Sequence, residues 1–270
     1  MKVSPKSTPP PVVILCGGMG TRLREETETQ PKPMLTIGER PILWHIMKIY
    51  ARHGMTRFVL ALGYKGYAIR EYFLNYRAHV LNARFALGKP EKAVFDGTLE
   101  EEDWDITLAE TGPETMTGGR VARLQSQLSG PEFCLTYGDG VGNVDLSKLL
   151  DFHRSHGKIG TVTGVLPPGR FGELVVGKDG TASEFNEKLQ TSGGRISGGF
   201  FVFRREFLER YLANAGEGCV LEQEPLRKLA ADGQLMVYPH DGFWQPMDTY
   251  REWKLLNELW KSGRAPWKVW

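Results

Sequence analysis

Residues 13–36 read VILCGGMGTRLREETETQPKPMLT: an apolar strand runs straight into a glycine-rich turn, followed by an arginine and by a lysine held between two prolines. That order fits a nucleoside triphosphate site. Gly17, Gly18 and Gly20 carry no side chain, so backbone N–H groups can close on phosphate oxygens, and the turn can take positive φ at little steric cost. Arg22 offers a planar fork that holds two oxygens at once, which a compact ammonium cannot do. Lys32 sits in PKP, where each proline fixes its own φ and biases the preceding residue toward extended backbone. The glycines alone would mark only a tight loop; the strand before them and the two cations after them make the set specific. The stretch contains no GxxxxGK[ST], so it is not a P-loop, and its glycine spacing departs from GxGxxG. Glu39 follows IG and precedes RPI, a loop rather than a strand end, and is discounted as the ribose-binding acid of a dinucleotide fold.

Elsewhere in the 270 residues, apolar runs that read as buried strands alternate with amphipathic segments. This alternation predicts an α/β fold with a mixed, mostly parallel sheet covered by helices on both faces. Strands are expected at 12–16, 57–62, 105–110, 132–137, 159–166, 199–203 and 234–239. Helices are expected at 41–50, 67–77, 119–128, 145–156, 205–214, 221–232 and 249–262. Neither a repeat nor a linker interrupts the series, so residues 11–270 read as one domain behind a flexible extension of residues 1–10. Residues 78–104 read as an irregular flap or subunit-contact insertion that ends in the charge run LEEEDW.

A hydrophobic content of 41% and a formal charge of +2 describe an ordinary globular chain without the field that nucleic acid binding requires. Any phosphate must be met by cations that are placed rather than abundant. The three cysteines, Cys16, Cys134 and Cys219, cannot all pair internally, which fits a reducing cytoplasm. The absence of an apolar run of spanning length points away from the membrane.

Ligands of open α/β sheets bind beyond the carboxyl ends of the strands. FCLTYGDGV puts Asp139 just past the run 133–137, between two glycines. An aspartate in such a turn is commonly a turn former that accepts backbone N–H bonds. Asp248 in FWQPMDT follows another short apolar segment and is a candidate N-cap for the final helix. Spacing alone leaves turn former and metal ligand both open.

GGMGTRL with PKPML resembles the signature of the sugar-phosphate nucleotidylyltransferases, and further segments resemble the glucose-1-phosphate cytidylyltransferases among them. Those segments include GERPILWHIMKIY at 38–50, GYKGYAIREYF at 63–73, MTGGR at 116–120, TYGDGV at 136–141, PPGRFG at 167–172, SGGFFVF at 197–203, EQEPL at 222–226, GFWQPMDT at 242–249 and APWK at 265–268. The resemblance implies a single Rossmann-like nucleotidyltransferase domain. It also implies in-line attack of α-D-glucose-1-phosphate on the α-phosphorus of CTP, with Mg²⁺ held by Asp139 and Asp248 and with Arg22, Lys32 and Asp139 as the catalytic residues. Nucleotide binding would fall to Leu15, Gly17, Gly18, Met19, Gly20, Thr21, Arg22, Lys32, Thr115, Arg120, Gly138 and Asp139, with 111–120 as the loop that reads the base. The sugar phosphate would meet Gly172, Glu187, Lys188, Gly198 and Gly199; in EFNEKL a leucine stands where the family has the proline of EKP. The resemblance further implies a homo-oligomer. A uridylyl- or thymidylyltransferase shares the phosphate and metal residues and differs in the base loop. A noncatalytic sugar-nucleotide sensor would have lost part of the charge set, which this chain retains.

Other features read as structural. Trp44, Tyr137 and Trp244 are expected to pack rather than to stack on a base. His153 and His156, three apart on a helix, are expected at the surface. The aromatic APWKVW tail is expected to dock on its own body or on a neighbour.

Overall fold

The computed structural model describes residues 8–18, 30–167 and 194–270, together with the backbone of two strands within 168–193. The strands are, in chain order, β1 (Val12–Leu15), β2 (Thr36–Ile37), β3 (Arg40–Pro41), β4 (Arg57–Leu62), β5 (Asn82–Ala86), β6 (Lys89–Asp96), β7 (Asp105–Glu110), β8 (Glu132–Tyr137), β9 (Gly140–Gly142), β10 (Gly160–Val165), β11 (Glu173–Val176), β12 (Ala182–Asn186), β13 (Ile196–Ser197), β14 (Phe201–Arg204), β15 (Leu235–His240) and β16 (Trp244–Pro246). Eight of them form one sheet ordered β13-β10-β14-β8-β1-β4-β7, with β15 paired to β10.

β1 lies between β4 and β8, parallel to both, and β7 runs parallel to β4. β14 is antiparallel to β8 and to β10, which makes the sheet mixed as expected. The central strands are buried on both sides: Val12 and Ile14 of β1 enter one core cluster, Val13 and Leu15 the other. Double burial explains why the strands read as unbroken apolar runs.

Helix Ile42–Arg52 opens at Pro41 and covers the first face. Residues 42–50 are all buried, so the helix packs on every side rather than along a single stripe. The carboxyl-terminal tail covers the rest. Trp267 is fully buried against Phe243 and Trp260, Trp270 meets Trp44 edge-on, and Arg52 Nε donates to the Val269 carbonyl at 3.1 Å. His45 Nε2 bonds the Ile37 carbonyl at 2.9 Å, which leaves its Nδ1 to accept from Trp267 Nε1 at 3.4 Å. The tail thus docks on its own body.

Residues 78–104 are more ordered than their sequence suggests. A short helix, Tyr76–Val80, leads into the hairpin β5–β6, whose strands pair with each other and, among the described residues, with no other strand. Every residue of β5 is exposed, so no apolar alternation was present to announce it. The charge run is not wholly solvated either. The Glu101 side chain accepts from Trp44 Nε1 at 3.1 Å and lies 3.6 Å from the Lys48 ammonium, tucked against the first helix.

The histidine pair also departs from expectation. His153 is buried and His156 half-buried, and both reach the Thr161 hydroxyl on β10, at 2.8 and 2.7 Å. Lys158 N donates to His156 Nδ1, so the His156 proton sits on Nε2 and points at Thr161. Thr161 then donates to His153 Nδ1, leaving the buried His153 Nε2 without a hydrogen-bond partner. Burial, with His156 and Arg204 beside it, lowers the His153 pKa to about 3 from 6.5. The unfolded chain therefore takes up a proton as pH falls below 6.5 while the folded ring stays neutral until about 3. In denaturant titrations across that window, stability should fall as pH drops, with a limiting slope of about 1.4 kcal/mol per pH unit from this group. His153→Gln should flatten the dependence, and parallel curves for the two proteins would refute the assignment.

Candidate active site

The four parallel strands deliver their carboxyl ends side by side. Leu15 is in register with Ala61 and Tyr137, and Leu62 with Glu110. Beyond these ends lie the glycine turn at 17–18, Gly63, the loop 111–116 and the Gly138–Asp139 turn. The edge is stitched by backbone bonds from Cys16 N to Ala61 O, Thr111 N to Leu62 O, and Gly138 N to Leu15 O, each at 3.0 Å. At Gly138 a side chain would meet the Leu15 carbonyl at 2.9 Å and the Pro33 ring at 3.0 Å, so the glycine lets the lysine-bearing segment close on the end of β8.

Lys32 opens a 3₁₀ turn, Lys32–Met34, rather than lying in extended backbone; Leu35 N returns to the Lys32 carbonyl at 3.1 Å. Its ammonium lies 2.6 Å from Asp139 Oδ2 and 2.5 Å from Asp248 Oδ1. Burial alone would lower the Lys32 pKa; the two carboxylates outweigh it and hold the pKa above its ordinary value. The aspartates are brought together by the antiparallel ribbon β9–β16 and by a bond from Met247 N to the Asp139 carbonyl at 2.8 Å. Asp248 is not the N-cap of helix Tyr250–Lys261. That role belongs to Thr249, whose hydroxyl accepts from Glu252 N while Glu252 Oε2 accepts from Thr249 N at 2.9 Å and from Asp248 N at 2.7 Å. The reciprocal cap frees the Asp248 carboxylate to face Asp139.

The pair suits magnesium. Both carboxylates reach one nitrogen, so one small cation can reach an oxygen of each, and magnesium is commonly held by one or two carboxylates together with substrate phosphates. Among the described residues no cluster of three or more His, Cys, Asp or Glu would hold an ion by protein alone.

The glycine turn works differently from expectation at its first positions. Neither Gly17 nor Gly18 has positive φ. Gly17 is required for close approach: its Cβ would fall 2.1 Å from Cζ of Arg120, whereas at Gly18 nothing among the described residues lies within 4 Å. Arg120 is only 2% exposed. Its guanidinium, wedged between Gly17 and Gly63, donates to the Leu62, Gly112 and Pro113 carbonyls and to Thr111 Oγ1. Thr115 Oγ1 lies 3.0 Å from Glu217 Oε1 and accepts from Arg123 at 2.7 Å. Met19, Gly20, Thr21, Arg22, Gly172, Glu187 and Lys188 lie outside the described residues.

Gly198 and Gly199 sit on the same edge. Gly160 of β10 pairs with Phe203 and Gly164 with Ser197, so the opposing chain spends two extra residues in a bulge over 198–200. Gly199 has φ +73° beside the Tyr137 ring, and a Cβ at Gly198 would strike Val165 at 2.5 Å. Trp244 Nε1 donates to the Gly198 carbonyl at 2.9 Å, a packing role as expected.

The sequence reading missed the segment 216–222, which lies along the back of the loop 111–120. Met116 N donates to the Glu217 carbonyl, and Gly118 N and Gly119 N to the Cys219 carbonyl. The Glu222 carboxylate accepts from Thr117 Oγ1 and from the Tyr137 hydroxyl. EQEPL at 222–226 was the available signal.

A glycine turn, paired carboxylates and a lysine at the ends of parallel strands are the parts of a nucleotidyl-transferring site, and residues 11–253 match the nucleotidyl transferase family, to which the chain belongs. Its relatives there include glucose-1-phosphate cytidylyltransferases. It is 46% identical over 259 residues to that of Salmonella typhimurium, covering 96% of this chain and 98% of that one. Identity to the probable glucose-1-phosphate cytidylyltransferase of Bacillus subtilis is 44% over 260 residues, 96% and 99% of the two chains. Among solved structures, HddC from Yersinia pseudotuberculosis is similar in fold, with a TM-score of 0.67 at 21% identity over 93% of this chain and 99% of that one.

The two glycines should separate under mutation. Gly17→Ala forces the Arg120 guanidinium out of its carbonyl cage and should cost about 1–3 kcal/mol in thermal or chemical melts. Gly18→Ala should melt like the parent. Equal losses at both positions would contradict the packing role given to Gly17.

Proposed function

We propose that this protein transfers the cytidylyl group of CTP to α-D-glucose-1-phosphate, giving CDP-glucose and pyrophosphate. The observation that carries this reading is the convergence of Asp139 and Asp248 on Lys32 beside the glycine turn. The close relatedness to glucose-1-phosphate cytidylyltransferases supports the base and the sugar. A phosphate oxygen of the sugar phosphate forms the new bond to the α-phosphorus as the bond to the pyrophosphate oxygen breaks in line. The nucleophile is already an anion, so the site needs no covalent intermediate and no general base.

The task is to hold two anions together and neutralise charge. Lys32, kept protonated by its neighbours, and Arg22 supply positive charge toward the triphosphate. Asp139 and Asp248 are the residues that would hold Mg²⁺, which when bound orients the phosphates and offsets their charge. Leu15, Gly17, Gly18, Met19, Gly20, Thr21 and Gly138 form the backbone cradle of the nucleotide, and Thr115 belongs to the loop that reads its base. Arg120, committed to carbonyls, contributes by fixing that loop. Glu187, Lys188, Gly172 and the bulge at Gly198–Gly199 take the sugar phosphate.

Residues 11–270 act as one domain with a short extension at 1–10. Free thiols at Cys16, Cys134 and Cys219 suit a cytoplasmic setting, and among the described residues no helix is long and apolar enough to cross a membrane. Phe85, Leu87 and Val94, exposed on the β5–β6 hairpin, support a homo-oligomer in which residues 78–104 meet another copy. Sedimentation equilibrium should show a species heavier than the 30.4 kDa chain, and a monomer at all concentrations would end that part of the reading.

Pyrophosphate release measured with CTP, UTP, dTTP and ATP, with and without glucose-1-phosphate and Mg²⁺, tests the activity. Sugar-dependent release with CTP in preference to the others is expected. Lys32→Ala should lower kcat by about 10²–10³-fold, the scale of one lost electrostatic group. Turnover unchanged by that substitution would remove Lys32 from the mechanism, and faster release with UTP or dTTP would overturn the base.

A further inference from the structure

We propose that Glu222 is a positioning residue that fixes the base-reading loop against the aspartate turn of the active site. It rests on the reading of residues 111–120 and Asp139 given above. The carboxylate splits its two oxygens: Oε2 accepts from Thr117 Oγ1 at 2.8 Å, and Oε1 accepts from the Tyr137 hydroxyl. Thr117 stands in the first turn of helix Thr117–Arg123, at the exit of the base loop. Tyr137 ends β8, two residues before Asp139. One side chain therefore ties the two loops that a nucleotide must touch together.

The direction of each bond is fixed. Thr117 Oγ1 already accepts from Leu221 N at 2.9 Å, so its proton goes to Glu222. The Tyr137 hydroxyl carries one proton and faces a carboxylate oxygen that can only accept, so the phenol donates to Glu222 Oε1. Tyr137 is held in its turn: its ring meets Phe201 edge-on at 6.1 Å and lies against the Gly199 bulge. Two donors facing two acceptor oxygens is a match that a carboxylate completes and that an amide, with one acceptor and one donor end, satisfies only in part.

Glu222 itself is exposed. Loss of exposed hydrogen bonds alters stability little, whereas a displacement of about 1 Å between reacting groups can cost about 100-fold in rate. Glu222→Ala should therefore lower kcat/KM for CTP by about 10–100-fold while melting close to the parent and leaving KM for glucose-1-phosphate in place. Glu222→Gln should recover part of the loss. Tyr137→Phe should fall near Glu222→Ala, and the double variant should be no worse than the poorer single one, because both remove the same tie.

Steady-state kinetics with each substrate varied in turn, together with melts, decides the matter. Additive losses, a loss of stability with kcat/KM unchanged, or a rise confined to KM for glucose-1-phosphate would overturn it, the last by placing Glu222 on the sugar. Failure of the underlying reading is seen separately, as absence of CTP turnover in the parent protein, and would overturn both.

Discussion

The fold is organised to force two carboxylates onto one cation. Lys32 lies 107 residues from Asp139 and 216 from Asp248 in sequence, yet its ammonium touches both. Two carboxylates held this close repel one another unless a positive charge lies between them. The chain holds them there through the β9–β16 ribbon, the Met247–Asp139 backbone bond and the reciprocal Thr249–Glu252 side-chain cap. The ion pairs themselves are partly solvated, with Asp139 33% and Asp248 25% exposed, so their value to stability is modest. What they create is a standing demand for positive charge at the ends of the parallel strands, where a triphosphate brings both negative charge and its counterion.

Much of this was legible in the sequence because burial writes itself into composition. Strands β4, β7 and β8 fall where the apolar runs put them, and Asp139 was findable because a ligand site follows a strand end. Asp248 was legible as an acid in the right place but not in its local role; a capping box and an N-cap aspartate differ only in which side chain turns back. The hairpin β5–β6 was illegible because it buries almost nothing. The His153 pair misled for the opposite reason: a polar residue on a helix reads as exposed, and only the tertiary packing of Leu146–His156 against β10 pulls the ring inward.

Glycines in this chain carry two different duties that the sequence cannot separate. Gly17 and Gly63 make room for the Arg120 guanidinium, while Gly118 and Gly119 make room for the segment 216–222, with a Cβ at Gly119 meeting the Gly216 carbonyl at 2.7 Å. Gly18, by contrast, meets nothing among the described residues. Read from sequence, all of them suggest a flexible, ligand-cradling backbone. In the structure most of them are packing residues that make the loops around the site stiff.

On the proposed reading that residues 111–120 meet the base, that stiffness bears on how the base is chosen. Cytosine differs from uracil at one edge, a donor in place of an acceptor, so discrimination requires an acceptor held still enough that the wrong partner cannot be accommodated by a small shift. A loop of ten residues, TGPETMTGGR, would not do this alone. Here it is pinned from below by Arg120, whose donors engage Leu62, Gly112 and Pro113, and from behind by Glu217, Cys219 and Glu222. A buried guanidinium spent on backbone carbonyls is a costly use of charge. It is intelligible if the rigidity of the base loop, rather than a further phosphate contact, is what the arginine contributes.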